Sequence, residues 1–214
     1  MEQSLAILIA DLSGYTALTE AHGPATAADL IDKYIEIVNS CLVGESVLHQ
    51  QVGDEVVVIS SSADHLLFTT EILVNKLSGE NYFLQPHGAL HYGLLLTRKN
   101  NYFGTALNLT SRMASKASSG NFLCSTEFLE ALSEKTQPKV ESIGAHSFKN
   151  VSEEKELFQL NFETQSGISI DPVCRMLIRK TEAAIKHPAT PNLFFCSKEC
   201  LEIHMNRQDS NLKI

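Results

Sequence analysis

Long apolar runs are missing from this chain. The longest near the N-terminus, Leu5-Ala6-Ile7-Leu8-Ile9-Ala10, is far short of the roughly 20 residues that a membrane helix needs. No Lys or Arg precedes it as a secretory signal would require, so the expectation is a cytoplasmic protein without a membrane partner. A basic surplus is missing too. Seventeen Lys and Arg against 25 Asp and Glu leave a formal net charge of -8, which argues against nucleic acid as the main partner because duplex binding needs a basic surface. It does not exclude a small phosphorylated ligand, whose charge bound divalent ions offset. Cysteines are few and odd in number, five in 214 residues. Without a secretory signal, that count points to a reducing compartment and away from a disulfide framework. The 43% hydrophobic content is enough for one substantial core and a small second unit. No internal repeat is present.

Two aspartates stand where strand-like runs break. Asp11 follows the apolar run and opens Asp11-Leu12-Ser13-Gly14-Tyr15-Thr16; Asp54 lies in Val52-Gly53-Asp54-Glu55, between Ser46-Val47-Leu48 and Val56-Val57-Val58-Ile59. Runs rich in β-branched residues joined by Gly-Asp read as a hairpin, so Asp54 rides its tip while Asp11 ends a buried strand. Alone, each would serve as an ordinary turn former. If the two tips are adjacent, the carboxylates suit a hard cation, because Mg²⁺ is typically held by one or two carboxylates plus substrate phosphates.

Asn101-Tyr102-Phe103-Gly104-Thr105-Ala106-Leu107-Asn108-Leu109-Thr110-Ser111-Arg112-Met113 reads as a Gly-initiated helix. Asn108 and Arg112, four apart, share one face. That stripe offers an amide for a ribose and a guanidinium fork for phosphate oxygens. Elsewhere, Ala25 to Leu42 has helical apolar spacing behind Pro24, and Ala63 to Leu77 repeats it before Ser78-Gly79. Ala89 to Leu96 and Asn121 to Ser125 read as strands. His87 and His91 sit on one strand face about 13 Å apart and should not share an ion. Cys41 and Cys124 read as core thiols. A Gly-Asp link too tight for a crossover helix favours α+β over a doubly wound sheet.

The combination of Asp11-Leu12-Ser13-Gly14-Tyr15-Thr16-Ala17-Leu18, Val52-Gly53-Asp54, His87-Gly88-Ala89-Leu90-His91-Tyr92-Gly93 and Tyr102-Phe103-Gly104 through Asn108 to Arg112-Met113 resembles the catalytic domain of class III nucleotide cyclases. The likeness runs over roughly residues 4 to 162, with Phe148-Lys149-Asn150 and Glu156-Leu157-Phe158-Gln159-Leu160 similar to the family's final strands. It implies a ferredoxin-like α+β domain working as a homodimer on a nucleoside triphosphate, with each site shared across the interface. Asp11 and Asp54 would hold two Mg²⁺ or Mn²⁺ ions with the Leu12 carbonyl, while Asn108 and Arg112 come from the other subunit. Substrate contacts would fall to Tyr15, Thr16, Gln50, Asn101 and Lys149. Adenine-selective members usually carry a lysine and an aspartate where this chain has Gln50 and Asn101. An amide carries both a donor and an acceptor, so purine selectivity should weaken, with ATP favoured slightly over GTP. The family's usual Lys-Gly is Lys149-Asn150 here.

Beyond a polar stretch at 163–168, read as a linker, come Asp171-Pro172-Val173-Cys174 and Phe194-Phe195-Cys196-Ser197-Lys198-Glu199-Cys200. If a helix begins at Ser197, then Cys196, Cys200 and His204 share a stripe. Three thiolates and an imidazole suit Zn²⁺; thiolates alone suit Cu⁺. The segment resembles the YHS domain over roughly 169–207, leaving 208–214 as a tail and 1–162 as the cyclase-like unit. A unit of about 40 residues is marginal on core burial alone, so metal or docking should stabilise it. Three readings follow. The chain is a cyclase tuned by metal or redox state, a non-catalytic nucleotide-binding sensor and interaction module coupled to metal binding, or a dimerised metal carrier.

Overall fold

Every side chain from Leu5 to Ala10 is buried in β1 (Glu2–Ser13), because both faces of that strand are covered. Leu5, Ile7 and Ile9 enter one apolar cluster and Ala6, Leu8 and Ala10 another. A strand covered twice reads as a continuous apolar run rather than an alternation. The computed structural model describes residues 2–149, 151, 153–162, 168–179 and 184–211. After β1 come α1 (Tyr15–Cys41), β2 (Val47–Val52), β3 (Glu55–Ser60), α2 (Ala63–Gly79), β4 (Gln85–Arg98), β5 (Asn101–Phe103), α3 (Thr105–Ala114), β6 (Phe122–Ser125), α4 (Thr126–Glu130), β7 (Val140–His146) and β8 (Lys155–Leu160). The C-terminal segment adds β9 (Ile168–Ile170), β10 (Leu177–Arg179), β11 (Ile185–Lys186), β12 (Phe194–Phe195) and α5 (Lys198–Asn211).

The main sheet has eight strands in the order β2-β3-β1-β4-β6-β8-β7, with β5 paired to β4. β1 runs antiparallel to both β3 and β4, whereas β4 and β6 are parallel, joined through α3. This is the mixed α+β arrangement that the tight Gly53-Asp54 link requires. Leu30, Ile31 and Tyr34 of α1 and Leu66, Leu73 and Leu77 of α2 pack on the face carrying Leu8; Ala106, Leu109 and Met113 of α3 pack on the face carrying Ile7. Removing a fully buried leucine such as Leu8 would cost about 2–5 kcal/mol. Val173, Cys174, Met176, Phe195 and Cys200 belong to the same buried cluster as α1 and α2.

Several local expectations need correction. Helix α1 starts at Tyr15, well before Ala25, and passes through a break at Gly23. Phe148 and Lys149 form no strand; they precede β8 in an irregular turn. Residues 163–167 of the expected linker and 212–214 of the expected tail lie outside the described residues, while α5 continues past residue 207 to Asn211. Among the described residues, no helix is long and apolar enough to cross a membrane.

Candidate functional site

The two aspartates meet. Register from Ala6↔Ser60 to Ala10↔Val56 carries the end of β1 alongside the start of β3, and Val52↔Glu55 closes the two-residue turn that holds Asp54. Burial, a hydrogen bond that the protonated Asp54 carboxyl donates to the Asp11 carboxylate, and the Asp11 charge push Asp54 up to about 6. Glu55 is raised as well, by burial and then by Asp11. Partly buried like charges at one spot are costly unless a proton or a cation is shared between them. The donors are all oxygens, a set that fits Mg²⁺ or Mn²⁺. Leu12 buries its side chain, so only its backbone is available there, and its N–H donates to Asp11 Oδ1 at 2.9 Å. Beneath the pair sits Tyr34, fully buried, whose hydroxyl has no hydrogen-bond partner among the described residues. Burial, then the charges of Asp11 and Asp54, push its phenol up.

Just past Asp11 the chain turns into α1. Gly14 caps the helix with φ 96° and makes no side-chain cap hydrogen bond to the first turn. The N–H groups at Tyr15 and Thr16 therefore open an uncapped helix start, which carries partial positive charge and binds anions. Tyr15 is half-buried and Thr16 exposed. The site floor is tied to the next strand, since Asp11 lies opposite His87 and Ser13 Oγ is 2.9 Å from His87 Nδ1. His91 bonds elsewhere, to Ser125 Oγ at 2.8 Å, so the two histidines have separate partners.

Gln50 and Asn101 are both exposed and belong to strands that approach one another. The rings of their neighbours His49 and Tyr102 meet edge-on at 4.8 Å. Asn101 Nδ2 donates to the Lys99 carbonyl at 3.2 Å. Asn108 projects outward from α3, whose buried side is formed by Ala106, Leu109, Thr110 and Met113. Arg112 is half-buried, and its guanidinium donates to the Lys149 carbonyl. Helix α3 covers the sheet face opposite α1.

The C-terminal cysteines also converge. Cys174 Sγ lies 3.4 Å from Cys196 Sγ, which lies 3.6 Å from Cys200 Sγ, and all three are free thiols. The fully buried Asp171 carboxylate accepts from the N–H groups of Val173 at 2.7 Å, Cys174 at 3.2 Å and Cys196 at 2.7 Å, fixing both turns. The Cys174 sulfur and burial push the Cys196 thiol up; burial pushes Cys200 up to about 12. His204 does not join them. Four residues along α5 move it about 6 Å past Cys200, and its ring packs against Phe195 at 5.3 Å and His187 at 5.8 Å. The imidazole at the sulfurs is that of His22, whose Nε2 is 3.4 Å from both Cys196 Sγ and Cys200 Sγ. His22 was missed because nothing local marks it, the pair being 174 residues apart in sequence for Cys196.

Three of the solved structures that share this arrangement are of nucleotide cyclases. An adenylate cyclase from Trypanosoma brucei superposes with a TM-score of 0.67 at 20% identity, covering 74% of this chain and 88% of that one. The adenylyl cyclase CyaB from P. aeruginosa gives 0.63 at 18%, over 76% and 96%. The guanylate cyclase domain of RhGC from Catenaria anguillulae, in complex with GTP, gives 0.62 at 15%, over 76% and 99%. The chain has a nucleotide cyclase fold. In sequence it is 32% identical over 124 residues to an uncharacterised protein of Mycobacterium tuberculosis, spanning 58% of this chain and 33% of that protein. An adenylate cyclase of Glutamicibacter nicotianae is 30% identical over 122 residues, 55% of this chain and 30% of its own length. This cyclase-like chain thus spans about a third of the length of the curated relatives it matches. No protein-family model matches it.

Proposed function

We propose that the chain converts ATP, in preference to GTP, to a 3′,5′-cyclic nucleotide and pyrophosphate at the interface of a homodimer. The observation that carries this reading is the meeting of the Asp11 and Asp54 carboxyls beside the uncapped start of α1. Sequence likeness to a relative named an adenylate cyclase supports it.

Asp11, the Leu12 carbonyl and Asp54 would hold two Mg²⁺ or Mn²⁺ ions. Bound there, the ions supply positive charge that favours the ribose 3′-alkoxide and offsets the triphosphate. The N–H groups of Tyr15 and Thr16 receive triphosphate oxygens at the helix start. From the second copy, Asn108 orients the ribose and the Arg112 fork offsets charge on the α-phosphoryl oxygens. The 3′-hydroxyl gives its proton to solvent and its oxygen bonds to the α-phosphorus; the bond from that phosphorus to the bridging oxygen breaks, and pyrophosphate leaves with the electron pair. Arg112 exchanges its bond to the Lys149 carbonyl for this role. Gln50 and Asn101 take the purine edge, and Lys149 reaches toward the triphosphate. Residues 1–162 form the cyclase-like unit, and the YHS-like segment at 169–207 tunes it through metal or redox state.

The test is incubation of purified, reduced protein with ATP or GTP and Mn²⁺, with product separation and an Asp54→Ala control. Cyclic nucleotide made by the wild type and lost in the control is the expected result. Binding of both triphosphates without product would instead favour a nucleotide-responsive sensor and interaction module, the reading that uncharged Gln50 and Asn101 support.

A further inference from the structure

Among the described residues, one group of metal-ligating side chains closes within 4.8 Å: His22, Cys174, Cys196 and Cys200. Its members come from both ends of the chain. The sulfurs are too far apart for a disulfide, which needs about 2.0 Å, and they are held near one another without any bond between them. Around one Zn²⁺, with Zn–S near 2.3 Å and Zn–N near 2.0–2.1 Å, a tetrahedron sets S···S close to ~3.8 Å and S···N close to ~3.6 Å. The separations here are 3.4 and 3.6 Å between sulfurs and 3.4 Å from His22 Nε2 to each of two sulfurs.

We infer that His22, Cys174, Cys196 and Cys200 form a four-ligand site for one Zn²⁺, which fastens the C-terminal segment to the first turns of α1. The supports of the ligands are already in place. Asp171 fixes the backbone at Cys174 and Cys196, and Ser197 Oγ accepts from the Cys200 N–H at 3.2 Å, holding the start of α5. On the other side, His22 closes the first piece of α1. Gly23 follows at φ 83° and ψ 166°, a conformation that only glycine adopts without strain, and Pro24 restarts the helix. The imidazole therefore hangs from a helix end aimed by a fixed bend. Docking continues away from the sulfurs, where Tyr82 donates to the Leu177 carbonyl at 2.8 Å and Leu177 donates to the Phe83 carbonyl at 2.5 Å. Three thiolates and one imidazole in a closed set match a structural zinc site. Cu⁺, satisfied by thiolates, would have no need of His22.

The same piece of α1 begins at Gly14, directly after the Asp11 strand end. Resting on the cyclase reading, zinc occupancy would steady the helix start that receives triphosphate. The zinc site itself does not depend on that reading.

The experiment uses the full, reduced, metal-free chain. Zn²⁺ is titrated against a chromophoric chelator, and Co²⁺ serves as the spectroscopic probe. The expected result is one ion per chain with the visible bands of tetrahedral cobalt and intense sulfur charge transfer. His22→Gln should weaken Zn²⁺ by at least about 100-fold, since even outer-shell losses cost 10–100-fold, and should shift the cobalt bands. Cys196→Ser should do likewise, while His204→Ala leaves both unchanged. Hydrogen exchange across residues 15–22 should slow with Zn²⁺ in the wild type only. Absence of a stoichiometric ion, or Zn²⁺ bound equally well by His22→Gln, would overturn the site; unchanged exchange in the wild type would overturn the clasp. None of these readouts depends on cyclase turnover, so a failed cyclase assay leaves them intact.

Discussion

Replacing Gly14 by alanine should reveal how closely the C-terminal segment sits on the turn that follows Asp11. Gly14 has φ +96°, and a Cβ there would lie 2.5 Å from Arg175 Cβ and 2.7 Å from Arg175 Cγ. Two costs add. An L-residue in this left-handed conformation loses about 1–2 kcal/mol. Forcing carbon atoms well inside their preferred 3.5–4.0 Å costs about 1–3 kcal/mol more, through displaced backbone. Gly14→Ala should therefore destabilise the chain by roughly 2–5 kcal/mol. In an Arg175→Gly background the overlapping carbons are gone and only the first cost, about 1–2 kcal/mol, remains. Arg175→Gly alone should not harm stability, since Arg175 is exposed and itself has φ 67°. Urea unfolding of the four proteins, at fixed metal content and followed by two probes, gives the cycle. An equal cost of Gly14→Ala in both backgrounds would show that the segment does not touch this turn, and the docking argument would fail.

Arg112→Ala should lower turnover by about 10²–10³ while leaving unfolding midpoints nearly unchanged; mixing it with the inactive Asp54→Ala protein should restore activity, because each variant supplies what the other lacks. Failure to restore would contradict a shared site. Stability should fall with acid in two stages. Burial lowers the pKa of His91 from its ordinary 6.5, so stability present above that value is lost as pH drops through the lower folded value. Burial would raise Glu127, but Lys155, backbone and Ser125 hydrogen bonds and the His91 charge outweigh it and hold it at about 2 against an ordinary 4.5, so a second loss spans that window. Glu127→Gln should flatten the curve below pH 4.5; an unaltered acid limb would discount the Glu127–Lys155 pair. Tyr34→Phe removes a buried hydroxyl without a partner among the described residues and should leave stability equal or raise it by about 1 kcal/mol. A loss of that size in a denaturation series would mean that the hydroxyl is bonded after all.

The parts of the molecule that were legible in sequence are those whose signals are local. Gly53-Asp54 between β-branched runs fixed a hairpin tip, and the apolar run before Asp11 marked a buried strand. The spacing in α2 likewise predicted a helix over Ala63 to Leu77, and the helix continues two residues further, to Gly79. Cys41 and Cys124 are buried, as their apolar neighbours implied. What escaped is long-range or composite. Gly23-Pro24 looks like a helix start, which hid the turns before it. The spacing from Cys200 to His204 is a true helical repeat, yet the His204 ring packs against Phe195 and His187 instead of turning to the sulfurs. No local pattern could join His22 to cysteines near the other end of the chain.

Motif boundaries and burial boundaries do not coincide in this protein. The sequence divides at the polar stretch after Phe162, but Val173, Met176 and Phe195 sit in the same buried cluster as Phe83, Leu84 and Tyr34. A fragment that stopped at Phe162 would bare an apolar patch next to the turn that follows Asp11, and would lose the cysteine sulfurs that His22 meets. Such a fragment would be a damaged body rather than a minimal enzyme, prone to stick to its own kind through the face it had lost. The terminal segment is thus as much a lid on the core as an appendage to it.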